Sequence, residues 1–221
     1  MFSGCDKESE TPVTQTLIYQ KDDIPTPFPP KFITVEYIEL DKIERISKFR
    51  SGIGHDYSDD VESCRSMKHY FQPKSSVDWS QIKIVSPVKG TVVRIDQEWA
   101  GTQVQIHPDS VQSCTIIIFH IALQKPLVVG DSISQGQVLG THIGSQTMSD
   151  IAIGFSVQNT WRLFSYFDVM SDSLFQQYKN RGIVSRSDCI ISKEARESDS
   201  LKCSGEIFGS SETLENWVTL K

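Results

Sequence analysis

Hydrophobic and polar positions alternate most clearly between Ile82 and Val157. Ile82 and Ile84, then Thr91–Ile95 and Val104–Ile106, alternate or run in β-branched residues that fit a pleated, half-buried backbone, and so predict short strands. Thr115–Leu123 is apolar on both strand faces, as a central strand covered on each side would be, and is far too short to cross a bilayer. Pro87 followed by Gly90 reads as a turn leading into a strand, and Gly130-Asp131 and Gly136 punctuate two further turns. Upstream, Phe32–Ile38 is rich in β-branched and aromatic residues and predicts a strand, whereas Leu40, Ile43, Ile46 and Phe49 recur at helical spacing and predict a short amphipathic helix. Downstream, four aromatics between Trp161 and Phe167 suit burial more than sugar stacking. Leu174–Gly182 reads as a helix ended by glycine, with basic residues in its last turn.

A length of 221 residues with 38% hydrophobic content gives room for one core and an appended piece. The expected division is a tether over residues 1–31, a β domain over 32–184 and a cysteine-containing extension over 185–221 packed on it. Acidic, Ser/Thr and proline residues ending in Pro29-Pro30 give the tether its extended character. A formal charge of -6 and a sequence pI near 5.4 lack the broad basic footprint that phosphate backbones demand, so nucleic acid is not an expected partner.

Of five cysteines, Cys5 stands apart near the N-terminus. Phe2-Ser-Gly-Cys5 resembles the end of a bacterial lipoprotein signal, which implies lipidation of Cys5, membrane attachment through that lipid and a place in the cell envelope, or a secreted protein. An oxidising envelope would let the others pair. Cys189 and Cys203 are nearest in sequence and form the candidate disulfide, although four cysteines allow three connectivities. No CxxC or Cys/His cluster suggests a structural zinc knuckle.

Chemistry-bearing residues fall on a recognisable series. His55 and Asp59 stand four apart in a glycine-led segment, Ser51-Gly-Ile-Gly-His55. Ser86-Pro-Val-Lys-Gly90-Thr-Val-Val, Phe119-His120-Ile121 and Gly130-Asp-Ser-Ile-Ser-Gln-Gly136-Gln-Val-Leu-Gly140 follow. In this order they resemble the core of the lysostaphin and LytM-type zinc peptidases, the M23 family. The resemblance covers about residues 51–160 and implies a mainly β fold: an antiparallel β-sandwich or hybrid-barrel core with a few short peripheral helices. It also implies zinc held by His55 and Asp59, with His120 as the candidate catalytic residue beside the metal-bound water. His69 competes with His55 for the same place, but its fourth neighbour is Pro73, which cannot ligate.

Active members carry an H-x-H strand after the glycine-rich segment. Here the equivalent strand reads Ser149-Asp150-Ile-Ala152-Ile-Gly-Phe155, and with Ile151, Ile153 and Phe155 facing the core, Asp150 and Ala152 take the histidine positions. Alanine cannot bind a metal, and nothing aims His107 or His142 at the site. His69 and Asp150 are expected in the groove, with no cofactor, or zinc if the site is retained. Three readings follow: a non-catalytic M23-like envelope module binding peptidoglycan or an envelope protein through the former active-site groove, a zinc endopeptidase with a rearranged metal site, or a biotinyl/lipoyl-like carrier for which Met67-Lys68 would supply the modified dipeptide.

Overall fold

A computed structural model describes residues 28–210 and 213–221. Cys5 and most of the tether lie outside the described residues. Within them the chain forms β1 (Ile43–Ser47), β2 (His69–Pro73), β3 (Lys83–Val85), β4 (Gly90–Glu98), β5 (Gly101–Pro108), β6 (Cys114–Leu123), β7 (Ser132–Ile133), β8 (Val138–His142), β9 (Ser149–Val157) and β10 (Thr160–Phe164). Helices α1 (Tyr166–Val169), α2 (Asp172–Lys179) and α3 (Lys193–Ser198) follow, then a small hairpin of β11 (Cys203–Ser204) and β12 (Ile207–Phe208), and finally β13 (Trp217–Thr219).

Eleven strands among the described residues join in one sheet, in the order β13-β1-β2-β9-β6-β5-β4-β7, with β10 on β9 and β3 reaching β6 through β8. Every strand pairing in it is antiparallel. The fold is mainly β with short helices at its margin. As expected of a central strand, β6 is buried along most of its length, and Ile116 and Ile118 face the main core with Ile151, Ile153 and Phe155 of β9. Alternate positions pack on the other face: Ile117, Phe119 and Ala152 join Phe49, Met67 and Leu163 in a second cluster. Each fully buried branched aliphatic side chain stabilises the fold by roughly 1.5–3 kcal/mol, so these two layers hold the sheet rigid around whatever it carries.

Two expectations upstream are corrected. The segment predicted as a helix from Leu40 to Phe49 is instead a single turn at Leu40–Lys42 followed by β1. The register of β1 against β2 shifts between Ile43 and Arg45, and that irregularity puts Ile43 and Ile46 on the core side despite their odd spacing. A bulged strand thereby imitates a helical period. Nor is Phe32–Ile38 a continuous strand; it touches the body through isolated bridges, Ile33 to Met170 and Ile38 to Ile84.

The segment after α2 returns to the sheet. Gly182 leaves the helix with a φ of 95°, a conformation glycine adopts without strain, and β13 then pairs with β1. Buried Arg196 on α3 donates from Nε to the Arg50 carbonyl at 2.8 Å, which fixes the helix against the chain entering the 51–60 loop.

Candidate functional site

One irregularity in β6 builds the site. Its pairing with β5 runs Ile118 to Val104 and then Ile121 to Thr102, so Phe119 and His120 lie opposite the single residue Gln103. On its other edge β6 leaves β9 after Ile118 and takes up β8 at Ile121. In this bulge Phe119 keeps the face of Ile117, while His120, at a φ of 58°, is turned out of the strand alternation to the same side, into the gap where the partner strands change. A groove of about 610 Å³ opens there, lined by Phe119 and His120 with Tyr57, Lys68, Glu98 and Trp99 and by residues of the 54–57 loop and the β11–β12 hairpin.

His120 makes its contacts through both ring nitrogens. Nδ1 donates to the Ala100 carbonyl at 2.9 Å and lies 3.1 Å from Glu98 Oε2, while Nε2 faces Asp150 Oδ1 at 3.4 Å. Burial alone would lower the imidazole pKa, but the Glu98 and Asp150 carboxylates and the Ala100 carbonyl outweigh it and raise the value above its ordinary range. A ring with acceptors at both nitrogens favours the imidazolium form. In that form it has no lone pair with which to take a proton from water.

Beneath it, Asp150 is 0% and Lys68 1% exposed, and Lys68 Nζ lies 2.5 Å from Asp150 Oδ2. The same ammonium stands 4.1 Å from the Phe119 ring centre, 4.8 Å from that of Tyr57 and 5.0 Å from that of Tyr70, an aromatic cage of the kind that favours cations. It also donates to His55 Nε2 at 3.2 Å, while His55 Nδ1 donates to the Asp56 carbonyl at 2.9 Å. Lys68 is thus an internal cation at the point where Asp150 and His55 converge.

Zinc, which the family resemblance implies, needs three or four nitrogen, oxygen or sulfur donors meeting at about 2.0–2.3 Å. Among the described residues no group of three such side chains converges. Asp150 and His55 are both bound to the Lys68 ammonium, and His120 Nε2 faces Asp150 directly at 3.4 Å. The donor set does not fit a zinc ion.

The expected site residues are divided by the structure. His55, His120 and Asp150 gather around the groove and its floor. Asp59 does not join them as a ligand: Oδ1 accepts from the backbone N–H groups of Val61 and Glu62 and Oδ2 from that of Leu163, so the carboxylate closes a turn and ties it to β10. His69 is corrected from groove to core. The side chains of a strand alternate, so while Lys68 faces the groove, His69 points the other way, donating to the Ser47 carbonyl and accepting from Ser165 Oγ, each at 2.8 Å. Burial pushes its pKa down to about 4. His142 is likewise buried and pushed down to about 4, mainly by desolvation and then by the neighbouring charge of His120.

The disulfide expectation is corrected too. Cys203 bonds to Cys64, with an S–S distance of 2.05 Å, and Cys189 is free and buried against the core. Separation in sequence was the wrong guide; the β11–β12 hairpin lies over the 54–65 loop, where the Asp56 N–H donates to the Glu206 carbonyl at 2.7 Å. The carrier reading fails at Lys68, whose amine is sealed in the cage and closed to a modifying enzyme. Sequence reasoning missed Tyr57, Tyr70, Glu98 and Trp99 as groove residues; the exposed Trp99 beside the Glu98 turn was the one visible signal, since it is a large aromatic next to an acid in a predicted connection.

No protein-family model and no curated protein matches this sequence. Among solved structures, the chain is similar to one from the SpoIIQ–SpoIIIAH pore-forming complex, at 12% identity and a TM-score of 0.44 over 70% of this chain and 99% of that one. It is also similar to the protein designated glycyl-glycine endopeptidase lytM from Ruminococcus gnavus ATCC 29149, at 13% identity and a TM-score of 0.37 over 46% of this chain and 43% of that one. Lysostaphin in solution gives 12% identity and a TM-score of 0.33 over 53% and 52%.

Proposed function

We propose that this chain is a non-catalytic M23-like module of the cell envelope that binds peptidoglycan or a protein partner through the groove around His120. The observation that carries the reading is Lys68, whose ammonium occupies the convergence of Asp150 and His55 and supplies the positive charge there. A site organised in this way has no position for a Lewis-acid ion, and His120, held toward its imidazolium form, is a poor general base. What remains is a concave, partly aromatic surface with fixed polar groups, which is the anatomy of a binding site. The Cys64–Cys203 disulfide supports an oxidising, extracytoplasmic setting. No helix among the described residues is long and apolar enough to cross a membrane.

The test is metal content by inductively coupled plasma mass spectrometry on untagged protein purified without chelator, paired with incubation on purified peptidoglycan. The expected result is zinc far below stoichiometric in the wild type and in His55→Ala, and no release of soluble fragments. Near-stoichiometric zinc that is lost in His55→Ala, with soluble fragments released, would return the chain to the hydrolases.

A further inference from the structure

Building on the reading of the groove as a binding site, we infer that its ligand is a basic side chain, a lysine ammonium or arginine guanidinium, presented by an extended segment of a partner protein. The charge of the groove is the first ground. Asp56, Glu98 and Glu206 line it and Asp150 lies beneath, against Lys68 and His120, so the groove stays negative even with His120 protonated. The three lining carboxylates come from three separate parts of the chain, the 54–57 loop, the end of β4 and the β11–β12 hairpin.

The second ground is independent of charge count. Glu98 Oε2 is buried, and its close partner is the His120 ring at 3.1 Å, whose Nδ1–H is directed to the Ala100 carbonyl, so the carboxylate keeps acceptor capacity for a further donor. The Tyr70 hydroxyl, on a residue only 4% exposed, also lines the groove without a hydrogen-bond partner. A buried hydroxyl without a partner is costly, and a ligand that brings several N–H donors can satisfy it and the free capacity of the carboxylate together. An ammonium brings three and a guanidinium five.

A third ground is Trp99, which is 79% exposed at the groove and has its ring centre 6.0 Å from that of His120. An indole face beside carboxylates is an arrangement that attracts a cation. Lys68 already shows the same recognition inside the protein, one cation held by aromatic faces and a carboxylate.

The experiment titrates the full chain at low salt with a blocked peptide of alternating glycine and lysine, its glycine–glutamate counterpart and a soluble peptidoglycan disaccharide, read by isothermal calorimetry. The lysine peptide is expected to bind and the glutamate peptide not, with affinity falling as salt rises. Glu98→Gln should weaken lysine-peptide binding by about tenfold and Glu206→Gln, on the exposed hairpin, by about twofold. Trp99→Ala, at an exposed position that folding does not depend on, should weaken it as well and guards against a misfolded Glu98 variant. Binding of the disaccharide or the glutamate peptide at least as tight as that of the lysine peptide would overturn the basic-ligand inference and leave the binding groove standing. If no probe binds, or if Glu98→Gln and Trp99→Ala both bind the lysine peptide as the wild type does, the basic-ligand inference falls, and the non-catalytic reading is decided separately by the metal and peptidoglycan assays above.

Discussion

Lys68 and Asp150 hold each other's charge in a place where neither is hydrated. Removing Lys68 leaves Asp150 buried with only the His120 ring beside it, and breaking a buried pair in this way typically costs about 3–5 kcal/mol, whereas replacing both members with apolar groups costs much less. Lys68→Met should therefore lower unfolding stability by about that amount in urea titrations, and Lys68→Met/Asp150→Leu should recover most of the loss. Glu36 gives a second test at this scale. Burial pushes its carboxyl up to about 7, against smaller opposing effects of hydrogen bonds from the Tyr178 and Tyr166 hydroxyls and the Tyr37 N–H. Because the folded state holds the proton more tightly, the contribution of this group is full below about pH 4.5 and is lost as pH rises through 7. Glu36→Gln should remove that dependence, so the melting temperature of the wild type should fall relative to the variant between these limits. Little of this was legible in the sequence: Lys68 stood out only as half of a dipeptide, because its cage is assembled from residues as distant as Tyr57, Phe119 and Asp150.

Among the elements, legibility followed the range of the forces involved. Strands β4 to β9 were readable because β-branched alternation and turn glycines act within a few residues. The bulge at Phe119–His120 was not, because it depends on β6 being shared between β9 and β8, a fact of tertiary pairing. The same limit hid the strand character of β1, where an irregular register reproduced a helical spacing. Gly90 shows what local reading does achieve. It was marked as a turn residue, and at the start of β4 a Cβ there would lie 2.2 Å from the His107 carbonyl oxygen of β5, a backbone atom with no freedom to withdraw. Gly90→Ala should destabilise the protein by about 1–3 kcal/mol, measured by thermal unfolding, and should loosen the β4–β5 pair in amide exchange.

For the molecule as a whole, a single covalent link ties the hairpin bearing Glu206 to the loop bearing His55 and Asp56. The cysteines it joins are 139 residues apart, so cutting it frees a long loop in the unfolded chain; Cys203→Ser should cost about 2–5 kcal/mol in denaturant titrations and speed amide exchange over residues 203–208. Sequence could say that cysteines were available to pair but not which, since the choice rests on where the hairpin lands. That long interval also sets an order of events. During synthesis the residues of the groove floor, from Lys68 to Asp150, are made well before Cys203, so until the disulfide closes the hairpin is held over the 54–65 loop by non-covalent contacts alone. The shape of the groove's rim therefore depends on oxidation as well as on folding, and a reducing agent should act on that rim before it acts on the floor.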